Sequence, residues 1–366
     1  MEFWISNLVS GLIGLVIGVI LEEPLNRVKT SIVRFMKRLF FRPQYTHTSP
    51  ETFCFGDLIT SWVVVDGDGE LEYTPETINS RFDPSVENLP QDLLAQRTQI
   101  EQQEKEKRDK GLSYHWNGSR YSLEEFVCGR TPLEENLTLQ LHFRPSDYFT
   151  FLATNMSLDE KVSDEGKIVS LREKYLSQAS WHKPIEFFSN SFGVNLAVIT
   201  SDQYLIVTQR SNVVGSRPGE FNISVSEGLS RPLDRSDQSG APDVYRCAIR
   251  GVAEELGVEI RNSDIRFLSL GVDEQYSQWA LLGIVKSERS MEDVLTWRRT
   301  GVKDKWESIQ LYAIPFTVED VVCFVLSHRP WAPPALACVF HTLVHEFNRS
   351  KVEAAIRKHS KKQSAA

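Results

Sequence analysis

The sequence predicts an α+β protein: one N-terminal transmembrane helix, an α+β intermediate region, and a C-terminal α/β/α sandwich built on a mixed sheet. Three observations predict it. Phe3 to Leu21 is an uncharged, apolar run. From Phe192 onward, short β-rich runs alternate with helical patterns. The best-marked helical pattern carries Pro242 at its start and Gly257 just past its end, as helix ends prefer.

Phe3–Leu21, FWISNLVSGLIGLVIGVIL, approaches the ~20 apolar residues that cross a bilayer. A cleaved signal peptide would want a basic start and small residues at a cleavage site. Met1-Glu2 precedes this run and Glu22-Glu23-Pro24 comes after it, so a retained anchor is expected. Arg27, Lys29, Arg34, Lys37, Arg38 and Arg42 all lie after the run. Positive charge stays on the cytoplasmic side, so a single pass with the bulk of the protein cytoplasmic is expected. Ser6, Ser10, Gly14 and Gly18 recur every four residues, a small-residue stripe along which two helices can pack. That stripe predicts homo-oligomers; the plainer reading is that Gly and Ser are common in membrane helices. Residues 25–44 mix cations with Ile32, Val33, Phe35, Met36, Leu39 and Phe40, which suits either a lipid-lying basic helix or a simple stalk.

The 366 residues exceed one ordinary domain. Apolar residues make up 41% of the chain, enough for a sizeable core. The formal charge of -8 argues against a large nucleic acid as partner, although a local pocket for a small anion need not share that sign. Five scattered cysteines, without a CxxC pair, read as buried thiols in a reducing compartment.

Residues 45–180 are either a small α+β domain or an N-terminal extension of the C-terminal domain. Ser61–Asp66 reads as a strand, stopped by Gly67-Asp68-Gly69. Leu89–Lys110 reads as a solvated helix. Leu137–His142 and Tyr148–Ala153 read as strands paired around Pro145-Ser146-Asp147, and Ser163–Ser177 as a helix. Residues 351–366 read as a polar tail.

The pattern sharpens in residues 181–350. Val194–Thr200 and Tyr204–Gln209, joined by Ser201-Asp202-Gln203, form a hairpin. Phe221–Val225 is a third strand, succeeded by a polar loop from Glu227-Gly228 to about Gly240. Pro242–Leu256 is helical, with Val244, Ala248 and Val252 on one face. Ile265–Leu270, Trp279–Ile284 and Ile309–Ile314 are strands. A helix comes next with Thr317 as its cap and Asp320 three residues on, and Pro334–Phe347 forms another.

Arg250–Val258 reads RGVAEELGV. Together with the preceding hairpin, this segment resembles the Nudix box, which ends in Arg-Glu, an apolar residue, any residue, Glu-Glu, any residue, Gly and an apolar residue. Eight of the nine positions fit. The resemblance implies a Nudix-like sandwich in which carboxylates on the helix hold a divalent metal, possible Mg, against a diphosphate. It places Glu254 and Glu255 at metal positions, with Arg250 orienting the glutamate one turn on. The third carboxylate position holds Gly251, four residues from Glu255 and so on the same helix face. The family also expects a glycine, five residues, a glutamate and seven residues before the arginine. Counting back from Arg250, the glutamate position holds Pro242, and none of Asp234, Asp237 and Asp243 falls on it. With Gly228 as the leading glycine, the loop is longer than the family's.

A lost carboxylate and an altered loop favour a nucleotide-binding domain over a catalytic one. Tyr276, Trp279 and Trp306 are candidates to stack on bases, against the plainer reading that each is core. Arg210 and Arg217 flank a turn and are candidates for phosphate, against surface solvation. The order of segments is similar to the SMODS-associated Nudix membrane effectors of cyclic-oligonucleotide anti-phage systems (CBASS). That resemblance implies a cyclic nucleotide from a cognate CD-NTase as ligand, the bacterial inner membrane as location and disruption of that membrane as output. The alternative is a membrane-tethered Nudix hydrolase of nucleoside diphosphate derivatives, in which Glu254 and Glu255 work with an acid from elsewhere, such as Glu274.

Overall fold

The computed structural model describes residues 52–86, 88–133, 135–164, 166–176, 183–212, 217–237, 239–301 and 308–363. The expected membrane span, its Ser6, Ser10, Gly14 and Gly18 stripe, and the basic segment at 25–44 lie outside them. Among the described residues, no helix is long and apolar enough to cross a membrane.

The second half of the chain builds most of a nine-stranded sheet. Strands β8 (Phe192–Ile199) and β9 (Tyr204–Arg210) form the expected hairpin. β8 runs parallel to β13 (Gln278–Lys286), which pairs antiparallel with β12 (Ile265–Asp273), so the sheet is mixed. The VNLAVI run of β8 has no polar face because both of its faces are buried. Leu196 and Val198 enter one core, Ala197 and Ile199 the other.

The expected third strand, Phe221–Val225, is two strands. β10 (Phe221–Ile223) pairs with β9, and β11 (Val225–Gly228) pairs with β8. Between them, buried Ser224 fills the fork: its hydroxyl accepts the Val198 amide (2.8 Å) and donates to the Ile206 carbonyl. β14 (Ser308–Pro315) pairs along the other side of β9.

Helices cover both faces. One core collects α6 (Val318–Ser327), α7 (Pro333–Phe347) and the start of α8 (Arg349–Gln363). Residues after 350 are therefore not simply a polar tail: Val352, Ala355 and Ile356 are buried in that core. The other core collects α4 (Val244–Leu256) and α5 (Met291–Gly301).

The region before residue 180 splits between two roles. β1 (Thr52–Phe55) and β2 (Leu58–Asp66) extend the large sheet, with β2 antiparallel to β12. Gly271 of β12 permits this, since a Cβ there would overlap the Trp62 indole. β3 (Ile78–Phe82), β4 (Ser119–Arg130) and β5 (Leu137–Asp147) form a separate three-stranded sheet, whose Tyr121, Leu123, Leu141 and Phe143 share the α4-side core. The charge-rich helix α1 lies at Gln91–Asp109.

Two elements in this region differ from expectation. Tyr148–Ala153 is a helix, α2, and not a strand. β5 runs straight through Pro145-Ser146-Asp147, and Asp147 then caps α2 by accepting the Thr150 amide (2.7 Å). The aromatic residues that suggested a strand instead bury Phe149 and Phe151. Ser163–Ser177 is not one helix. It contains the hairpin of β6 (Lys161–Asp164) and β7 (Lys167–Ser170), turned at Gly166 with φ +82°, before the short helix α3 (Leu171–Leu176).

Candidate functional site

Helix α4 carries the RGVAEELGV segment and packs beside β11. It begins at Val244 rather than Pro242, because the Asp243 carboxylate caps it, accepting the amides of Tyr245 (2.9 Å) and Arg246 (3.1 Å). It ends on Gly257 at φ 72°, the left-handed conformation that glycine adopts without cost.

Arg250 is the hub of the site. Its Nε and Nη2 hold both oxygens of Asp234, at 2.8 and 2.7 Å. Its Nη1 reaches Glu254 and Glu227, each at 3.0 Å, and Nη2 also donates to the Gly228 carbonyl (3.0 Å). Asp234 is fully buried at 0% exposure and accepts the Ser230 amide as well (2.7 Å). Burial works against the Arg250 charge, but Asp234 and Glu227 outweigh it and hold the guanidinium above its usual range.

The Asp234 contact corrects the sequence count. Counting forward from Gly228, five residues precede Asp234, the family's spacing for its first acid. The extra residues come afterwards: fifteen separate Asp234 from Arg250 where the family has seven. An antiparallel bridge between Arg235 and Pro242 closes this excursion, and the Asp243 amide donates to the Asp234 carbonyl (2.8 Å). Excising residues 235–242 from the count restores seven. Counting backward crossed the insertion and met Pro242; counting forward from Gly228 reaches the residue that binds Arg250.

The glycine gap also has a physical cause. A Cβ on Gly251 would meet Glu227 Cβ at 2.8 Å and Val225 Cγ1 at 2.9 Å. The helix approaches β11 too closely for a side chain at 251. Glu227 covers that position and turns its carboxylate to Arg250.

The site does not fit a divalent cation as it stands. Of the two expected metal ligands, Glu254 is held by Arg250, as the resemblance implies for an oriented ligand, while Glu255 Oε1 accepts the Ser226 amide (2.9 Å). Position 251 offers no carboxylate, and Glu227 and Asp234 both face the same guanidinium. Among the described residues, no three His, Cys, Asp or Glu side chains are grouped so as to hold a metal.

The remaining candidates lie elsewhere. Arg217 is already committed within the fold: Nη2 meets the Asp273 carboxylate at 2.5 Å and the Gln275 amide oxygen at 2.8 Å, and Nη1 faces Glu220. Tyr276 stacks beneath it, 5.2 Å from Cζ to ring centre, and Ser61 of β2 donates to the same Asp273 (2.6 Å). Arg217 and Tyr276 thus fasten the loop before β10 to the end of β12, while Ser61 brings β2 to the same aspartate, a role as a tie that the sequence did not indicate. Arg210 is half-buried at the end of β9, with its backbone paired to Ser308 and Glu220. Trp279 is a core residue at 2% exposure, its ring 5.1 Å from Phe126. Trp306 lies outside the described residues. Glu274, the acid considered for the hydrolytic alternative, is buried beside this tie.

A polar depression of about 390 Å³ is lined by Val64, Asp66, Asp68, Glu70, Arg130 and Leu137. It contains none of the candidate ligand-binding or metal residues, and its central Asp66 is occupied by Arg130 and Tyr73.

No protein-family model matches the chain, and no curated protein matches it. Among solved structures, it is similar to DR0079 from Deinococcus radiodurans, at 16% identity over 55% of this chain and 97% of that one, TM-score 0.29. It is also similar to the MutT protein from Methanosarcina mazei Go1 (11% identity, 43% and 95%, TM-score 0.28) and to a Nudix hydrolase from Alicyclobacillus acidocaldarius (14%, 46% and 95%, TM-score 0.29).

Proposed function

We propose that this chain is a membrane-anchored effector of a bacterial cyclic-nucleotide anti-phage system. Its C-terminal Nudix-like domain binds the nucleotide without turning it over, and binding drives self-association and inner-membrane disruption. The observation that carries the non-catalytic part is the missing wall of the metal site, where Glu227 and Val225 fill the place of a side chain at Gly251. The segment that resembles the Nudix box keeps its arginine and paired glutamates, yet Asp234 and Glu227 are paired with that arginine and Glu255 accepts the Ser226 amide. A metal-loading reaction needs these carboxylates turned outward. Here they fasten the helix to the strand and loop before it.

For a ligand to act as a switch, it must bind the assembled state more tightly than the resting one. Moving a population from 1:99 to 99:1 takes about 5.5 kcal/mol of differential affinity. The test incubates the purified full-length chain with cyclic dinucleotides and trinucleotides in the presence of magnesium. Intact nucleotide, larger assemblies in detergent, and dye release from liposomes are the expected results. Turnover of any nucleotide that is abolished by Glu255→Gln overturns this reading in favour of the tethered hydrolase. A chain that stays monomeric with every ligand and leaks no dye also overturns it.

A further inference from the structure

The start of β4 crosses from the small sheet to the loop after β11. Arg120 bridges Ser230, the Arg231 amide donates to the Ser119 carbonyl, and Ser122 bridges Ser191. Arg120 is therefore brought beside Gly228 from the other side of the chain. Its Nη1 lies 3.9 Å from where a Gly228 Cβ would stand, while Arg250 holds the carbonyl of the same glycine. Two guanidiniums thus flank Gly228, and they differ in one respect. Arg250 faces three carboxylates; among the described residues, Arg120 faces none within ion-pair distance.

Arg120 is partly buried and held by ring faces. Its Cζ lies 4.7 Å from the Tyr148 ring centre and 5.5 Å from that of Phe151, two rings that stack on each other in α2. Its hydrogen bond from Nη1 to Ser191 Oγ is long, at 3.4 Å. Burial lowers the guanidinium pKa and outweighs the attraction of the nearby Glu227, so this cation is only partly compensated. Stacking fixes the plane of the fork, and the Ser191 bond engages only one of its five donors. A planar fork held in this way matches the oxygens of a phosphate. The segment just before β4 presents Trp116 at 74% exposure, unusual for so large an apolar ring, and its ring packs over Gly118, whose carbonyl accepts the Tyr148 amide (3.0 Å).

We propose that Arg120, contributed by the region before the Nudix-like domain, is the phosphate-binding residue of the nucleotide site, with Trp116 as a stacking surface at its edge. This assignment rests on the nucleotide-binding reading above. It gives the otherwise unassigned region at 45–180 a role in ligand recognition, and it makes the site a composite of two parts of the chain.

The test is calorimetric titration of the full-length chain with cyclic di-adenylate, adenosine diphosphate and inorganic pyrophosphate, in phosphate-free buffer with EDTA. Arg120→Gln should weaken binding at least tenfold, and Arg120→Lys should weaken it less. Arg231→Gln is the charge control: Arg231 sits on Phe82, which packs against Tyr121 on the opposite face of β4, and binding should be unchanged. Trp116→Ala should weaken the nucleotides but not pyrophosphate. In case Arg120→Gln unfolds the chain, phenylglyoxal labelling of the wild type is read by mass spectrometry, and bound nucleotide should protect Arg120. Nucleotide binding that is undiminished in Arg120→Gln, or that leaves Arg120 open to labelling, overturns this assignment and leaves the nucleotide-binding reading intact. A wild-type chain that binds none of the three probes overturns both.

Discussion

Replacing Arg250 by methionine keeps the length of the stem and removes the charge from the hub. Asp234, at 0% exposure, then loses two of its three hydrogen bonds and keeps only the Ser230 amide. Glu227 and Glu254 lose their shared cation as well. Removing one partner of a buried ion pair costs about 3–5 kcal/mol, because the other charge is left uncompensated. The loss here should sit in that range, a large part of the ~5–15 kcal/mol that holds a domain folded. Asp234→Asn should cost less, about 1.5–3 kcal/mol, since Arg250 keeps its two glutamates. In the double variant no buried charge at 234 remains to be stranded, so its cost should fall short of the sum of the singles by at least about 1 kcal/mol. The assay is urea unfolding at pH 7 monitored by circular dichroism, with all four chains compared by their midpoints. A cost below about 1 kcal/mol for Arg250→Met, or strict additivity in the double variant, would refute the hub as the fastening of this helix.

His341 is buried on α7 with Nδ1 2.6 Å from Ser269 Oγ, and burial lowers its pKa to about 4. Between about 6.5 and 4 the unfolded chain binds a proton that the folded chain does not, so stability falls as pH drops through that window, by up to about 3 kcal/mol; His341→Asn should flatten the slope of stability against pH there, and equal slopes would defeat the argument. Gly251→Ala gains ~1 kcal/mol of helix propensity but drives a Cβ into Glu227 and Val225, an overpacking worth about 1–3 kcal/mol, so the melting temperature should fall, and a rise would mean the helix can move away from β11. Deleting residues 235–242 removes the hydrogen bonds of Tyr121 to the Gly240 carbonyl and of Arg246 to the Arg235 carbonyl, for about 1–3 kcal/mol; the chain should still fold with the Asp234–Arg250 pair in place, and a thermal melt showing no cooperative transition would refute the view that these residues are an excursion.

The sequence by itself determined the local elements whose physics is short-ranged. The β8–β9 hairpin, the Thr317 cap of α6 and the Gly257 end of α4 arise from turn residues and caps within a few positions of each other. The RGVAEELGV helix was legible for the same reason, and so was the missing carboxylate at Gly251. Only tertiary structure decided what that helix does. Glu227 meets Arg250 from a strand, and Asp234 meets it across a loop whose inserted residues hide the spacing. Whether Tyr148–Ala153 became strand or helix turned on Asp147, which serves both the end of β5 and the cap of α2; residue preference alone pointed the other way. Arg217 looked available for phosphate until Asp273, fifty-six positions away, closed on it. A charged side chain's role depends on which opposite charges share its burial, and Coulomb and desolvation terms act through space, so counting along the chain cannot supply them.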